Sequence, residues 1–526
     1  MQQEDLFEYT TGKWLYNNNL RHAERRREFN IAEFKRLAAA SVNQTEKDVL
    51  SLKKLAEGGF NRSFLITMAN GLRFVARIPY PVTEPKSLVV ASEVATMDFL
   101  RSHGFPVPLV FGYSTTAENP AETEYIFMEL VEGTNLGDVW FELDEKERTT
   151  VVTRLVQLEA RLFALRFPAG GSIYYCDDVP DEHRRVLIEG SSSISAKQFC
   201  IGPDTSYRLW FGKRLNLSAE RGPYRDTFEA LAAGATKEIE YLEKFGKPVQ
   251  PFQRLRREAY DYKAQSPLDH IANLKKYLVL APQLVPKETP LCRPVLRHPD
   301  LQPNNVIVTS DLQIKGLIDW QHSKILPLFL QGGTPLSIQS HDLVEPLVPP
   351  ENMADLDERE QREQAELYRR RHLHHEYLSK TEELNPEHHR ALAEKLNKLR
   401  RELWHHASDP WEGDVVTLKA DLVALTLKWK EITGEKDCPI SFPEEEVREC
   451  LRLEAAQADA DEQLQACEDI VGVGCEGWVP PGLFEKVKAR ERKFKRETFG
   501  AAETGEERGR LEENWIFDDF DEEVYT

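Results

Sequence analysis

The chain has 526 residues, enough for about three compact units at ~150 residues each and for a large core without disulfide or metal staples. Apolar residues make up 41% and charged residues 30%, a globular balance, and a formal charge of −20 argues against nucleic-acid binding and a membrane-surface role, both of which need a basic face. Seven cysteines without a CxxC pair fit a reducing compartment, and no apolar run approaches the ~18 residues of a membrane span.

Residues 1–50 read as an N-terminal arm. Its acidic opening, Met1-Gln2-Gln3-Glu4-Asp5, is unlike a secretory leader, so a cytoplasmic location is expected. Arg21 to Arg27, interleaved with Glu24, predicts a surface helix, and Ile31 to Ala40 a second one. The next block alternates short apolar runs with turn signals. Leu52–Leu55, Ser63–Met68 and Leu72–Ile78 predict three strands, joined first by Glu57-Gly58-Gly59-Phe60-Asn61-Arg62 and then by Asn70-Gly71. Asn-Gly predicts a two-residue type I′ hairpin turn, whose central positions both need positive φ. Glycines between two strands let backbone N–H groups approach phosphate oxygens without an intervening Cβ, although a plain hairpin would look the same. Arg77 interrupts the apolar run Phe74 to Ile78. It either reaches a nucleotide's phosphates or snorkels from an edge strand.

Ser87 to Ser102 has helical period, with Val90, Val94, Met97 and Leu100 on one stripe and Glu93 among them. A carboxylate facing a core needs a cationic partner, and Arg77 is the nearest candidate by topology. Glu124 to Leu130 predicts a strand that stops at a linker, where the Glu129 carbonyl and the Val131 N–H would face an adenine edge. Residues 136–290 are mainly helical in pattern, with Tyr174, Tyr175, Tyr207, Trp210 and Phe211 as core or pocket aromatics and Asp177, Asp178 and Asp181 as a solvated loop or a lure for a cationic acceptor.

The second β block carries the stronger signal. Arg297-His298-Pro299-Asp300-Leu301-Gln302-Pro303-Asn304-Asn305 is a polar loop, followed by a hairpin of Val306–Val308 and Ile314–Ile318 and then by Asp319-Trp320. Folding the hairpin sets Asn305 beside Asp319, with Asp300 on the preceding loop. Mg²⁺ takes oxygen ligands, often only one or two from the protein, so Asn305 and Asp319 suit a metal-ligand role. Asp300, five residues before Asn305, suits the carboxylate that steers an attacking hydroxyl. His298 is expected to pack and bind the loop backbone.

The run His298 to Asn305 with Ile318-Asp319-Trp320 resembles the aminoglycoside/choline phosphotransferase family. The glycine loop, Arg77, Glu93 and Met128-Glu129-Leu130 follow in that family's order. The arm Leu6 to Asn17, Cys200-Ile201-Gly202-Pro203 and Arg221-Gly222-Pro223-Tyr224 look like the altered-inheritance-of-mitochondria branch of fungal phosphotransferase-like proteins. The resemblance implies an α+β, bilobal, protein-kinase-like fold: an antiparallel N-terminal β lobe (51–135), a mainly helical C-terminal lobe (136–345), a helical extension (346–505) and an acidic tail (506–526). It implies ATP and Mg²⁺ as cofactors, with Gly58, Gly59, Asn61, Arg62, Arg77, Glu93, Glu129 and Val131 around the nucleotide. Asp300 and Asn305 would be catalytic, and Asn305 and Asp319 would hold the metal. The reaction implied is transfer of a γ-phosphoryl group to a small-molecule hydroxyl; the alternative is a kinase-like binding protein without turnover. It also implies a mitochondrial location, against the cytoplasmic reading of the opening residues. Departures are Arg77 where protein kinases carry Lys, Asn61 at a glycine position, Asp-Trp-Gln for Asp-Phe-Gly, and no A-P-E element, which favours a small acceptor over a protein.

Histidines crowd residues 372–406 (His372, His374, His375, His388, His389, His405, His406), but no pair completes H-E-x-x-H, so a solvated helical face is expected. Alternating charge over 356–404 predicts a helical hairpin, packed internally or offered to a protein partner. The tail after Gly505 is expected to be partly disordered, with Trp515, Phe517 and Phe520 able to dock it.

Overall fold

A computed structural model describes residues 5–192, 197–340 and 356–526. The expected boundary at 345/346 and Pro349-Pro350 lie outside the described residues.

The arm contains β1 (Lys13–Trp14), α1 (Asn18–Arg25) and α2 (Ile31–Ser41). The N-lobe follows with β2 (Val49–Glu57), β3 (Asn61–Met68), β4 (Arg73–Pro79), α3 (Lys86–Ser102), β5 (Val110–Ser114) and β6 (Tyr125–Glu129). Its five strands form one antiparallel sheet in the order β2-β3-β4-β6-β5. Strand β3 alternates half-buried and buried residues, the period-2 pattern of a sheet with one covered face. That face takes Phe34, Ala38 and Ala39 of α2 against Phe64, Ile66, Phe74 and Phe127, so α2 belongs to the N-lobe core and not to a detached arm. On the other side α3 buries most of its surface, Glu93 included.

The Asn70-Gly71 turn differs from the type I′ expectation. Gly71 has φ +88, while Asn70 is absent from the positive-φ residues. The Gly71 N–H donates to Met68 O at 3.0 Å and the Met68 N–H to Leu72 O at 2.8 Å, which makes a three-residue loop with only its last position left-handed. Asn70 Oδ1 instead accepts from the Leu72 N–H at 3.0 Å, a local bond that serves the Asn without left-handed backbone.

Beyond the linker come β7 (Thr134–Asn135), α4 (Leu136–Val139), α5 (Glu145–Ala164), the sheet of β8 (Ser172–Tyr175), β9 (Val186–Ser192) and β10 (Gln198–Gly202), then α6 (Thr227–Phe245) and α7 (Pro267–Leu284). The segment around the Asp300 loop is β11 (Pro294–Arg297), β12 (Val306–Val308), β13 (Ile314–Leu317), β14 (Lys324–Pro327) and α8 (Leu328–Gln331). β12 pairs with both β13 and β7, and β11 pairs with β14.

The extension comprises α9 (Glu358–Leu384), α10 (Pro386–Ala393), α11 (Lys395–Ser408), α12 (Val416–Leu427), α13 (Trp429–Thr433) and α14 (Glu444–Val471); β15 (Trp478–Val479), α15 (Phe484–Ala501) and α16 (Gly505–Glu513) end the chain. It shares the C-lobe's core: Leu373, Tyr377, Leu403, Trp411, Leu418 and Trp429 lie in the same cluster as Leu231, Tyr277 and Trp320. The solvated histidine face is therefore only partly realised. His388 is buried against Phe163 (4.9 Å between centroids) and Tyr377 (6.2 Å).

The acidic tail is ordered. Trp515, Ile516 and Phe517 join Val471, Val479 and Val487 in a separate core. β1 pairs with β15 in antiparallel register, Lys13 opposite Val479, so the two ends of the chain meet.

Candidate active site

Backbone first brings the candidate site residues together. β11 delivers His298 and the Asp300 loop, and a one-turn helix at Pro303–Asn305 presents Asn305 at the start of β12. The Ile318 N–H donates to Asn305 O at 3.0 Å, which sets Asp319 next to Asn305. Asp319 (φ +67) and His322 (φ +59) are both left-handed, uncommon outside glycine; the double bend turns the Asp319-Trp320-Gln321 segment out of the strand direction.

Asp300 is exposed, and its Oδ2 accepts from Asn305 Nδ2 at 3.1 Å. The same amide donates to Asp300 O at 2.9 Å. With its nitrogen so committed, Asn305 keeps Oδ1 free of hydrogen bonds among the described residues. His298 does what the sequence reading expects. Its Nδ1 accepts from the Asp300 N–H (3.2 Å), which leaves Nε2–H to donate to Ile318 O (2.9 Å), and Trp320 packs edge-on at 4.5 Å. Burial holds its imidazole below the usual range, so it stays neutral and ties the loop to the β13 end.

Arg77 reaches down from β4 and its guanidinium bridges Glu93 on α3 and Asp319, with Gln321 Oε1 at 3.2 Å. The predicted Arg77–Glu93 pair is present, and Asp319 shares the same cation. Burial alone would raise the Asp319 carboxyl, but the Arg77 charge and hydrogen bond hold it below the ordinary carboxylate range. Burial wins at Glu93, whose carboxyl is pushed up to about 7 against the pull of Arg77, with Asp319 adding to the rise.

The glycine loop closes over this cluster. Gly58 N–H donates to Asn61 O at 2.9 Å, and Asn61 Nδ2 donates to Gln321 Oε1 at 2.6 Å. Phe60 packs against Tyr207 (5.4 Å) and His322 (5.3 Å). Neither Gly58 nor Gly59 has positive φ; a Cβ on Gly59 would meet nothing within 4 Å, and one on Gly58 only Asn61 O at 3.6 Å. The chain's own packing therefore does not demand these glycines, and the loop leaves open space beside its backbone. The Val131 N–H makes no hydrogen bond among the described residues. The Glu129 side chain accepts from Arg101 Nη1 and the Leu109 N–H, both at 3.0 Å.

Arg62 is the correction. It is 1% exposed, with Nε on Glu57 Oε1 at 2.9 Å, Nη1 on Leu6 O at 2.9 Å and Tyr80 under its guanidinium. Arg62 on β3 lies opposite Ile78 and Arg77 on β4 opposite Ser63, one position apart in register, so their side chains leave opposite faces of the sheet. Arg62 binds the arm, and its burial keeps its guanidinium from a phosphate. Gln321 is the residue that sequence reasoning missed. Its place in the Asp-Trp-Gln triplet was visible, but its bonding to both Asn61 and Arg77 depends on the double bend.

Beside the catalytic loop lies a cavity of about 1210 Å³. Its walls include His298, Pro299, Phe60, Tyr207, Phe211 and His322, closed by Trp14 and Arg21 of the arm and by Glu522 and Tyr525 of the tail. Tyr174, Tyr175 and Trp210 are buried core, and Asp177, Asp178 and Asp181 are outside the lining.

Among the described residues no group of three or more His, Cys, Asp and Glu side chains could hold a metal ion. The donors present, an ionised Asp319 carboxylate and a free Asn305 carbonyl oxygen, fit a magnesium ion that takes its remaining ligands from phosphate and water.

Comparison with known proteins agrees in extent and order. A subtelomeric hrmA-associated cluster protein of Aspergillus fumigatus is 33% identical over 495 residues, covering 87% of this chain and 94% of that protein. The altered inheritance of mitochondria protein 9, mitochondrial, of Yarrowia lipolytica is 26% identical over 516 residues, covering 92% of this chain and 86% of that one. Among solved structures, ADP-bound aminoglycoside phosphotransferase APH(2'')-Ib aligns over 82% of this chain and 99% of its own, at 12% identity and a TM-score of 0.36. Residues 51–329, which hold every candidate site residue described above, match the phosphotransferase enzyme family, and the chain belongs to that family.

Proposed function

We propose that the chain transfers the γ-phosphoryl group of ATP to a hydroxyl of a small molecule, assisted by Mg²⁺. The observation that carries this reading is the convergence of Asp300, Asn305 and Asp319 beneath the glycine loop, with Arg77 joined to both Glu93 and Asp319. Arg77 supplies fixed positive charge toward the phosphates, oriented from behind by Glu93. Asn305 and Asp319 would hold the metal, which when bound neutralises phosphate charge. Asp300, exposed and bonded through one oxygen only, orients the acceptor hydroxyl and takes its proton. The adjoining cavity, walled by this chain's own ends, suits a small acceptor.

The test is calorimetric binding of Mg·ATP and phosphoryl-transfer or ATP-turnover assays on the full chain. Asp300→Ala is expected to lower turnover at least 1000-fold while nucleotide affinity stays within threefold. Absence of any nucleotide binding by the unaltered chain rejects the proposal. A second reading, nucleotide or partner binding without turnover with the extension as its surface, is favoured by the arrangement of Arg77, whose fork is already filled by Glu93 and Asp319. It predicts that Asp300→Ala leaves function in cells intact. The names of the Yarrowia lipolytica and Saccharomyces cerevisiae relatives support a mitochondrial location over the cytoplasmic one, which fractionation of cells expressing the full chain tests.

A further inference from the structure

The cavity beside the catalytic loop contains a cation that no carboxylate pairs with among the described residues, and its place suggests what binds there. Most charged groups of the lining are satisfied internally. Arg21 holds Glu24 (2.8 Å) and Glu522; Glu57 holds Arg62 (2.9 Å) and Lys54 (3.1 Å); Arg297 holds Glu159 (2.8 Å). Arg208 holds Asp409 at 3.0 Å, and the other Asp409 oxygen meets His405 Nδ1 at 2.9 Å.

Lys324 lines the same cavity and differs from them. It is half-buried, and among the described residues no carboxylate lies within ion-pair distance of its Nζ and no acceptor takes a hydrogen bond from it. The Trp404 ring centroid is 5.8 Å away. Burial pushes its ammonium down to about 8, with Arg208 adding to the push and Asp204 and Asp409 opposing it. Neither aspartate lies within ion-pair distance of it. Asp409 is taken as above, and Asp204 Oδ1 accepts from the Ser206 N–H at 2.8 Å and from the Ser206 hydroxyl. Glu412, a lining carboxylate, has no ion pair among the described residues, and Asp409, Arg256, Arg214 and Asp414 are the charges that act on it most strongly.

Position gives this cation a role. Lys324 is the register partner of Arg297, the residue immediately before His298, on the strand pair that carries the catalytic loop. His298 and Pro299 line the cavity with it. Lys324 thus shares a cavity with His298 and Pro299, the two residues that lead into Asp300. A partly buried ammonium with no counter-charge is costly, and a bound anion is what relieves that cost.

We infer that the acceptor carries an anionic group, a carboxylate or a phosphate, which binds Lys324 while the reacting hydroxyl lies toward Asp300. This deepens the phosphotransferase reading and rests on it.

The test uses the full chain saturated with ADP, titrated calorimetrically with inorganic phosphate and, separately, with acetate, with neutral acetamide as the control. Saturable binding of at least one anion, and none of acetamide, is expected. Lys324→Met should weaken that binding at least tenfold, and Lys324→Arg should keep it within threefold of the unaltered chain. The two arms distinguish a phosphate-bearing acceptor from a carboxylate-bearing one. Unchanged ADP affinity in both variants shows that the fold and the nucleotide site are intact. Absence of saturable binding by either anion, or equal affinity in Lys324→Met, overturns the inference. Failure of the unaltered chain to bind ADP rejects the kinase reading instead, and the anion titrations without ADP still decide the Lys324 site.

Discussion

Tyr377 tests whether the helical extension is part of the catalytic machinery's support. Its hydroxyl donates to Glu159 Oε2 at 2.6 Å and accepts from Arg297 Nη2 at 3.2 Å, while Arg297 Nε meets Glu159 Oε1 at 2.8 Å. All three side chains are buried or nearly so, and Arg297 leads directly into the Asp300 loop. Tyr377→Phe deletes one oxygen and leaves the ring's packing unchanged, so no cavity forms. The bond to Glu159 is charge-assisted and worth about 1.5–3 kcal/mol, and the longer one to Arg297 adds less than about 1 kcal/mol. A loss of about 2–3 kcal/mol follows. With an unfolding entropy of ~2.1 cal/mol/K per residue, that loss lowers Tm by roughly 2–3 °C. Urea unfolding and calorimetry measure it, and a double-mutant cycle with Glu159→Gln should show coupling of more than about 0.5 kcal/mol. A Tyr377→Phe chain within about 0.5 kcal/mol of the unaltered one, or additive effects in the cycle, would refute the argument that the extension braces the loop.

Three further outcomes are expected. Asn61→Ala removes the 2.6 Å bond to Gln321, a part-buried bond worth about 1 kcal/mol, so amide exchange at Gly58–Phe60 should rise about fivefold by mass spectrometry; unchanged exchange would mean Phe60 alone pins the loop. Arg77→Lys replaces a fork with a point charge that cannot serve Glu93 and Asp319 together, so nucleotide affinity should fall roughly tenfold with stability reduced by about 1–2 kcal/mol; calorimetry and urea unfolding measure the two. His270 is buried with neither ring nitrogen bonded, and burial pushes it down to about 4. A depressed His pKa means the unfolded chain binds the proton first. Its contribution is complete above the unfolded value of ~6.5 and is lost as pH falls toward 4, about 3 kcal/mol in all. His270→Phe should flatten that acid limb in urea titrations at pH 7 and 4.5, and an unaltered slope would count against it.

What could be read from the sequence was local. Strand β3 alternates cleanly, helix α3 carries its stripe with Glu93 on it, and the spacing from His298 to Asn305 and on to Asp319 survives any error in element ends because a tight hairpin joins the last two. Arg77–Glu93 was also legible, since a charged residue on each of two apolar faces leaves few other partners. Arg62 was misread because a cation next to a glycine loop looks available until its strand face is known; only the folded arm, with Glu57 and Leu6 O, shows that it is committed. The left-handed pair Asp319 and His322 has no signature in composition. The pairing of Lys13 with Val479 joins residues more than 460 positions apart, and no pattern around either residue points to the other.

That long-range closure also decides how firmly the cavity wall is held. Residues of the arm and of the tail line the cavity together, and each is tied down by its own bonds. Asn17 Nδ2 donates to Phe520 O at 3.0 Å, Arg21 Nη2 to Glu522 at 2.6 Å, Lys213 Nζ to Thr526 O at 2.9 Å and the Tyr525 hydroxyl to Gln250 O at 2.8 Å. At about 1 kcal/mol each these sum to several kcal/mol. Undocking Trp515, which is 5% exposed and bonded to Glu491 at 2.8 Å, adds about 3 kcal/mol more. An opening of that size is populated in fewer than about 1 in 10,000 molecules. The docked arm and tail thus form a fixed part of the cavity wall, and Trp14, Arg21, Glu522 and Tyr525 stay on its lining.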